Sequence, residues 1–190
     1  MLLKTHDIFT AGVLSLTGSL ITGNPAFAVF TAFVISLTSN FTIDFFGHED
    51  KWINGVKRPV RTYKTHSFLR GTIYGFLPAA ALYLFFFYAG RHGSYPFIKT
   101  GIGFILIQGV LAGPSHLLLD WPTEGGIFVK SKGRWVRNSL AHFKYNNFLV
   151  NAAASLAGII CFLPLFASRI SVSGRYLYIL KHFIKFNHFI

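Results

Sequence analysis

Six residues with metal-ligand side chains stand at the edges of apolar stretches: His6, Asp44, His48, His66, His116 and Asp120. Two pairs, Asp44/His48 and His116/Asp120, have i,i+4 spacing, which on a helix puts both side chains on one face. The second pair lies in GPSHLLLDWPTEGG, residues 113–126, where a long apolar run closes. A carboxylate at a helix C-terminus opposes the macrodipole, so capping does not explain Asp44 or Asp120. Neutral imidazole and carboxylate are the usual ligands of zinc and its neighbours, and ionisable groups inside apolar segments mark functional sites. An ion held by such a set and open to solvent lowers the pKa of bound water and provides hydroxide as a nucleophile near neutral pH. The six are therefore expected to bind Zn2+ or another divalent transition metal. Glu49, beside His48, is a candidate base. Arg58, Arg61 and Lys64 are candidates to steady an anionic substrate or its transition state. Ser67 adjoins His66, and neighbouring helical side chains diverge, so a Ser–His nucleophile pair is not expected.

The elements that position these groups are apolar. The chain has 190 residues, 52% hydrophobic and only 13% charged, with a mean hydropathy of +0.48. Soluble domains carry roughly 25% charged residues. Five apolar segments stand out, at about Ile8–Thr22, Ala26–Phe46, Phe68–Ala89, Ile98–Leu119 and Phe148–Phe166. They approach the roughly 20 residues that span a hydrocarbon core, where backbone groups must be satisfied within the segment, so helices are expected. The reading is an all-α, polytopic helical membrane protein of four to six transmembrane helices. Residues 1–168 form one membrane-embedded domain. Residues 169–190, with Lys181 and Lys185 at i,i+4 among large apolar residues, form an amphipathic or additional membrane-associated helix. The first apolar run is read as a retained anchor, since its N-terminal flank is too short for a cleaved signal.

The net charge is +12 and the pI about 10.1. The excess lies between the apolar runs: six Lys and Arg from Gly47 to Arg70, and five from Trp121 to Asn147. By the positive-inside rule the N-terminus and both basic loops face the cytoplasm of a multi-pass cell-membrane protein. The six candidate ligands then share the cytoplasmic ends of four helices. The same placement makes membrane lipid the expected partner, rather than nucleic acid. The single cysteine, Cys161, excludes an intramolecular disulfide.

These residues resemble the membrane-bound metal-dependent hydrolases of bacteria and archaea, including the LexA-binding, inner-membrane-associated group. That family carries an early His, a Pro-Asp-x-Asp-His segment, a His-Arg-Gly-x-Thr-His-Ser segment, and Ser-His-x-x-x-Asp followed by Thr-x-x-Gly. The matching positions are Thr5-His6, Asp44 to His48, Thr65-His66-Ser67, and Ser115-His116 to Asp120 with Thr123 and Gly126. The match covers roughly residues 4–130, and an archaeal branch with Ile-Asp-x-x-Gly-His-Glu in its second segment looks closer. Two departures are plain. The segment reads Ile43-Asp44-Phe45-Phe46-Gly47-His48-Glu49, one acid short, and Arg61-Thr62-Tyr63 replaces His-Arg-Gly.

The order of ligands is also similar to that of the helical zinc-dependent phospholipase C and nuclease superfamily, which implies a phosphate-ester substrate such as a phospholipid head group. Lys51, Arg58 and Pro59 fit the first motif of the type 2 phosphatidic acid phosphatases, but the Pro-Ser-Gly-His motif of those enzymes is missing. The alternative is a non-enzymatic integral membrane protein in which a closed metal or polar cluster ties helix ends together. A transporter would need polar groups along a path through the bilayer, and here they stop at one end.

Overall fold

A computed structural model describes residues 1–92 and 102–165. Five helices dominate it: α1 (Leu3–Thr22), α2 (Pro25–Gly47), α3 (Phe68–His92), α4 (Phe104–Asp120) and α5 (Phe148–Ile160). The expected all-α chain is corrected by two antiparallel hairpins, β1 (His48–Ile53) with β2 (Val56–Arg61), and β3 (Ile127–Ser131) with β4 (Arg134–Asn138). Both replace stretches read as basic loops. Their turns are Asn54-Gly55, at φ 53° and 75°, and Lys132-Gly133, at φ 47° and 77°. Two successive positive-φ residues are what a tight hairpin with native twist requires. The expected C-terminal helix over residues 169–190 lies outside the described residues.

Local chemistry sets the helix ends. Gly23 takes φ 64° and its N–H bonds to Ser19 O, closing α1. Asn24 then caps α2 by accepting from Phe27 N, with Pro25 in the first turn. Asn147 caps α5 by accepting from Val150 N. The first helix starts at Leu3, earlier than the apolar run at Ile8, so His6 lies inside it.

Helix α1 packs on α2, α4 and α5; α2 packs on α3 and α4; α3 packs on α4. Small residues let the backbones meet. A Cβ on Gly113 would strike the Gly71 carbonyl, and one on Gly12 would strike Gly158, the close approach typical of helices packing without large side chains between them. Leu14, Ala28, Ala32, Ile35, Ala79, Ile105 and Ala112 form the core. Within it Gln108 is fully buried and ties three helices. Its Nε2 donates to Leu14 O at 2.9 Å and Ala28 O at 3.1 Å, and its Oε1 accepts from Thr31 Oγ1 at 2.9 Å.

The outward faces are apolar. Phe30, Phe33, Leu37, Phe41 and Phe45 are exposed along α2, and Leu69, Ile73, Leu77, Leu84 and Phe85 along α3. Three helical stretches, Pro25–Gly47, Phe68–Arg91 and Phe148–Leu165, are long and apolar enough to cross a membrane. Helix α4 is apolar but has 17 residues, and α1 is not among the three.

Candidate metal site

The antiparallel packing brings one end of each helix to a common level. His6 sits in the first turns of α1, Asp44 in the last turn of α2, His66 in the turn that precedes α3, and His116 and Asp120 at the end of α4. His6, His66, His116 and Asp120 are buried, while the Asp44 side chain is 28% exposed. His116 Nε2 lies 3.2 Å from Asp120 Oδ2 and 3.5 Å from Asp44 Oδ1. His66 Nε2 lies 3.5 Å from the same two oxygens. The ligand atoms of His6, His116 and Asp120, and those of Asp44, His66 and His116, each fall within 4.8 Å of one another. Five of the six expected ligands therefore meet in two triads that share His116.

A cation fits these atoms. His66 Nε2, His116 Nε2 and Asp120 Oδ2 are buried and lack a hydrogen-bond partner, as do both His6 nitrogens. They stand close to one another without the alignment of a hydrogen bond. Buried polar atoms left this way are costly. Separations of 3.2–3.5 Å match those of two ligands about 2.0–2.1 Å from one ion in a tetrahedral arrangement.

Neighbouring groups hold the imidazoles in the ligating tautomer. His116 Nδ1 is 3.0 Å from Asn40 Oδ1, and Asn40 Nδ2 in turn donates to Asp7 Oδ1 at 2.9 Å. With the amide so oriented, His116 Nδ1 is the donor, and Nε2 is the atom left to face an ion. Thr65 Oγ1 donates to Ile43 O at 2.7 Å and so accepts from His66 Nδ1 at 3.1 Å. Burial also pushes the His66 imidazole down to about 4, against the pull of Asp44 and Asp120, so the ring is neutral at neutral pH. Such support is how proteins orient metal-binding histidines.

His48 stands at the rim. It caps α2 in an extended conformation, and its Nδ1 donates to the Asp44 carbonyl at 2.8 Å. The i,i+4 pair with Asp44 survives only loosely, at 3.7 Å, because the helix ends between them. His48 belongs to neither triad but packs edge-on against His66.

The four remaining sequence candidates fall in different places. Arg61 is tied inward. Its Nη2 donates to Asp120 Oδ1 at 2.6 Å and its Nη1 to Thr123 Oγ1 at 3.1 Å. It passes against Gly125, where a Cβ would meet Nη1 at 2.5 Å. The Met1 amine donates to the same Oδ1 at 3.1 Å. Arg61 therefore anchors a ligand instead of standing free to hold substrate. Lys64 and Glu49 pair with each other at 2.7 Å in solvent, which lowers the Glu49 pKa and raises that of Lys64. Neither belongs to a triad. Arg58 lines a cavity of about 840 Å3 whose other walls include Asp44, His48, Arg61, Glu124, Arg137 and Tyr145.

The hairpins hold this cavity to the site. Thr62 N donates to Gly47 O at 2.8 Å, closing the first hairpin beneath α2, and Phe128 N donates to His66 O at 2.7 Å, docking the second. Asn40, Asp7 and Arg137 were not singled out from sequence, and Thr65 stood out only as a position of the Thr-His-Ser segment. Asn40 carried a usable signal: it lies four residues before Asp44 in an apolar run, on the same helix face.

No curated protein and no solved structure matches the chain. Residues 1–119 match a family described as "Protein of unknown function (DUF1286)". The matched region carries His6, Asp44, His48, His66 and His116 and ends one residue before Asp120. It spans well over half of the 190 residues, and the chain belongs to this DUF1286 family.

Proposed function

We propose that the protein is a multi-pass membrane hydrolase that depends on a divalent transition metal such as Zn2+, with a phosphate ester, a phospholipid head group in particular, as its substrate. The observation that carries the reading is the meeting of His66 Nε2, His116 Nε2 and Asp120 Oδ2, buried and unpartnered, beside an Asp44 carboxylate that faces a solvent cavity. His6, Asp44, His66, His116 and Asp120 would hold the ion, with His48 at the rim. A bound ion there supplies Lewis-acid polarisation of a phosphoryl oxygen and of water. The chain's own groups do the rest. Asn40 and Thr65 keep the imidazoles oriented, Arg61 holds Asp120, and the basic rim attracts an anion. Three apolar helices with outward-facing aromatic residues support a lipid environment. The basic hairpins support a cytoplasmic site by the positive-inside rule. The resemblance of the His and Asp segments to membrane-bound metal-dependent hydrolases points the same way.

One observation favours the non-enzymatic reading. Asp120 Oδ1 is already neutralised by Arg61 and the Met1 amine, as in a charge-compensated cluster that ties helix ends. The test is hydrolysis of a chromogenic phosphomonoester and phosphodiester, and of phosphatidic acid in mixed micelles, by zinc-loaded protein beside His66→Ala. Turnover lost in the variant and on chelation is expected. Zinc-loaded protein that turns over none of the three would favour the structural cluster.

A further inference from the structure

The cavity beside the candidate metal site is lined by two arginines that form no ion pair among the described residues. Arg58 comes from β2 and Arg137 from β4, and both line the same cavity of about 840 Å3 with Asp44 and His48 in its wall. The acidic side chains are mostly committed elsewhere. Asp50 pairs with Lys57, Glu49 with Lys64, Asp120 with Arg61, and Asp7 accepts from Asn40, while Asp44 faces His66 and His116. The sixth acid, Glu124, lines the cavity but forms no ion pair among the described residues. Arg58 and Arg137 likewise have no ion-pair partner among the described residues. Arg58, Arg61 and Arg137 outnumber the two carboxylates, Asp44 and Glu124, that line the same cavity, so the lining carries an excess of positive charge that favours an anion.

The two are also held in place. Arg58 is paired in register with Lys51, and Arg137 with Phe128, whose N–H bonds to the carbonyl of His66. The first hairpin is fastened to the end of α2 through Thr62 and Gly47. Arg58 therefore sits on the strand whose end is bonded to the close of α2, and Arg137 sits on the strand paired with the one bonded to His66. A planar guanidinium presents paired donors that match phosphate oxygens. Arg61, spent on Asp120, and Lys64, spent on Glu49, are not available for that role.

We infer that Arg58 and Arg137 form a clamp for the phosphoryl group of the substrate at the mouth of the metal site. What happens to the clamped group rests on the hydrolase reading, but its capture does not. The anion could come from a lipid head group or from a soluble phosphate ester, and both present the same oxygens to the clamp.

The test is calorimetric titration of the full-length, detergent-purified, chelator-treated protein with inorganic phosphate and, separately, with dihexanoyl phosphatidic acid. Arg58→Gln and Arg137→Gln are each expected to weaken binding at least tenfold, the scale of losing a charge-assisted hydrogen bond. Arg58→Lys and Arg137→Lys should recover part of it. Lys130→Gln removes a strand charge that does not line the cavity and should leave binding unchanged. Lipid binding at least tenfold tighter than phosphate identifies a lipid head group, and equal affinities identify a soluble phosphate ester; either supports the clamp. Arginine variants that bind as wild type, or a Lys130→Gln loss as large as theirs, would overturn it and leave general basicity as the cause. Metal uptake, measured after zinc is added back to the same preparations, separates the two ideas. Arginine-dependent binding by protein that takes up no metal leaves the clamp standing and the hydrolase fallen, and bound metal with indifferent arginine variants does the reverse.

Discussion

Asn40→Ala should damage the metal site without touching a ligand. In the native protein His116 Nδ1 bonds to Asn40 Oδ1 at 3.0 Å, and both residues are fully buried, so the substitution strips the ring of its one partner at that nitrogen. The imidazole then has two poor choices. It can keep its proton on Nδ1 as a buried, unpaired donor, which costs about 1–3 kcal/mol. Or it can move the proton to Nε2, the atom that lies 3.2 Å from Asp120 Oδ2 and 3.5 Å from Asp44 Oδ1, and so lose the lone pair that would ligate. Either route is charged against the metal-bound state. Removing an outer partner of a ligating histidine typically weakens metal binding about 10–100-fold, which corresponds to about 1.4–2.7 kcal/mol. Asp7 also loses its partner, since Asn40 Nδ2 donates to it at 2.9 Å, so the chelated protein should melt at a lower temperature as well. Zinc affinity measured by competition with a chromophoric chelator in detergent, together with the Tm of the chelated protein, separates the two effects. An affinity within twofold of wild type, with only the Tm lowered, would refute the orienting role.

Gly113→Ala should destabilise by about 1–3 kcal/mol, because the new Cβ would meet Thr72 N at 2.6 Å as well as the Gly71 backbone. A Cβ on Gly103 meets nothing within 4 Å among the described residues and its φ of −59° suits a helix, so Gly103→Ala should be neutral or stabilise by about 0.4–1 kcal/mol; the two melting curves, measured side by side, check both. The chelated protein should also lose stability as pH falls from about 6.5, the ordinary His value, towards 4, where the buried His66 titrates. The unfolded chain takes up that proton first, so the contribution is fully present above the unfolded value. It declines by up to about 3 kcal/mol as pH falls, and flattens below the folded value. His48, Asp44, His116 and Asp120 face the ring, and His66→Gln should flatten that part of the Tm–pH profile.

The cluster of histidines and aspartates was legible because its chemistry is local. Histidine and aspartate at the closing turn of an apolar helix are expensive, and i,i+4 spacing places them on one face, so residue type and position along the chain were enough for Asp44, His116 and Asp120. Their convergence came from helix alternation, which returns every second helix end to the same level. What stayed hidden depended on strand pairing and side-chain partnering. The stretch from Lys51 to Arg58 reads as a basic loop when only charge is counted, although its Asn54-Gly55 pair is a strong hairpin signal. Once paired, that hairpin turns Arg61 inward onto Asp120 and leaves Arg58 over the cavity. Sequence treats the two as equivalent cations three residues apart. Asn40 was lost among the apolar residues of α2 because an amide draws less notice than a charge, yet it holds His116 in place. Lys64 and Glu49, both promising by type, are drawn to each other across the strands and away from the ligands.

The most direct test is the metal content of detergent-purified protein, measured by plasma mass spectrometry on wild type beside His116→Ala and Asp120→Ala. One or more zinc ions or equivalent divalent metals per chain are expected in the wild type, with loss in both variants, because His116 belongs to both triads and Asp120 presents its Oδ2 to His116 and His66. Wild-type protein purified without chelator that holds no metal, and takes up none when zinc or manganese is added, would contradict this expectation.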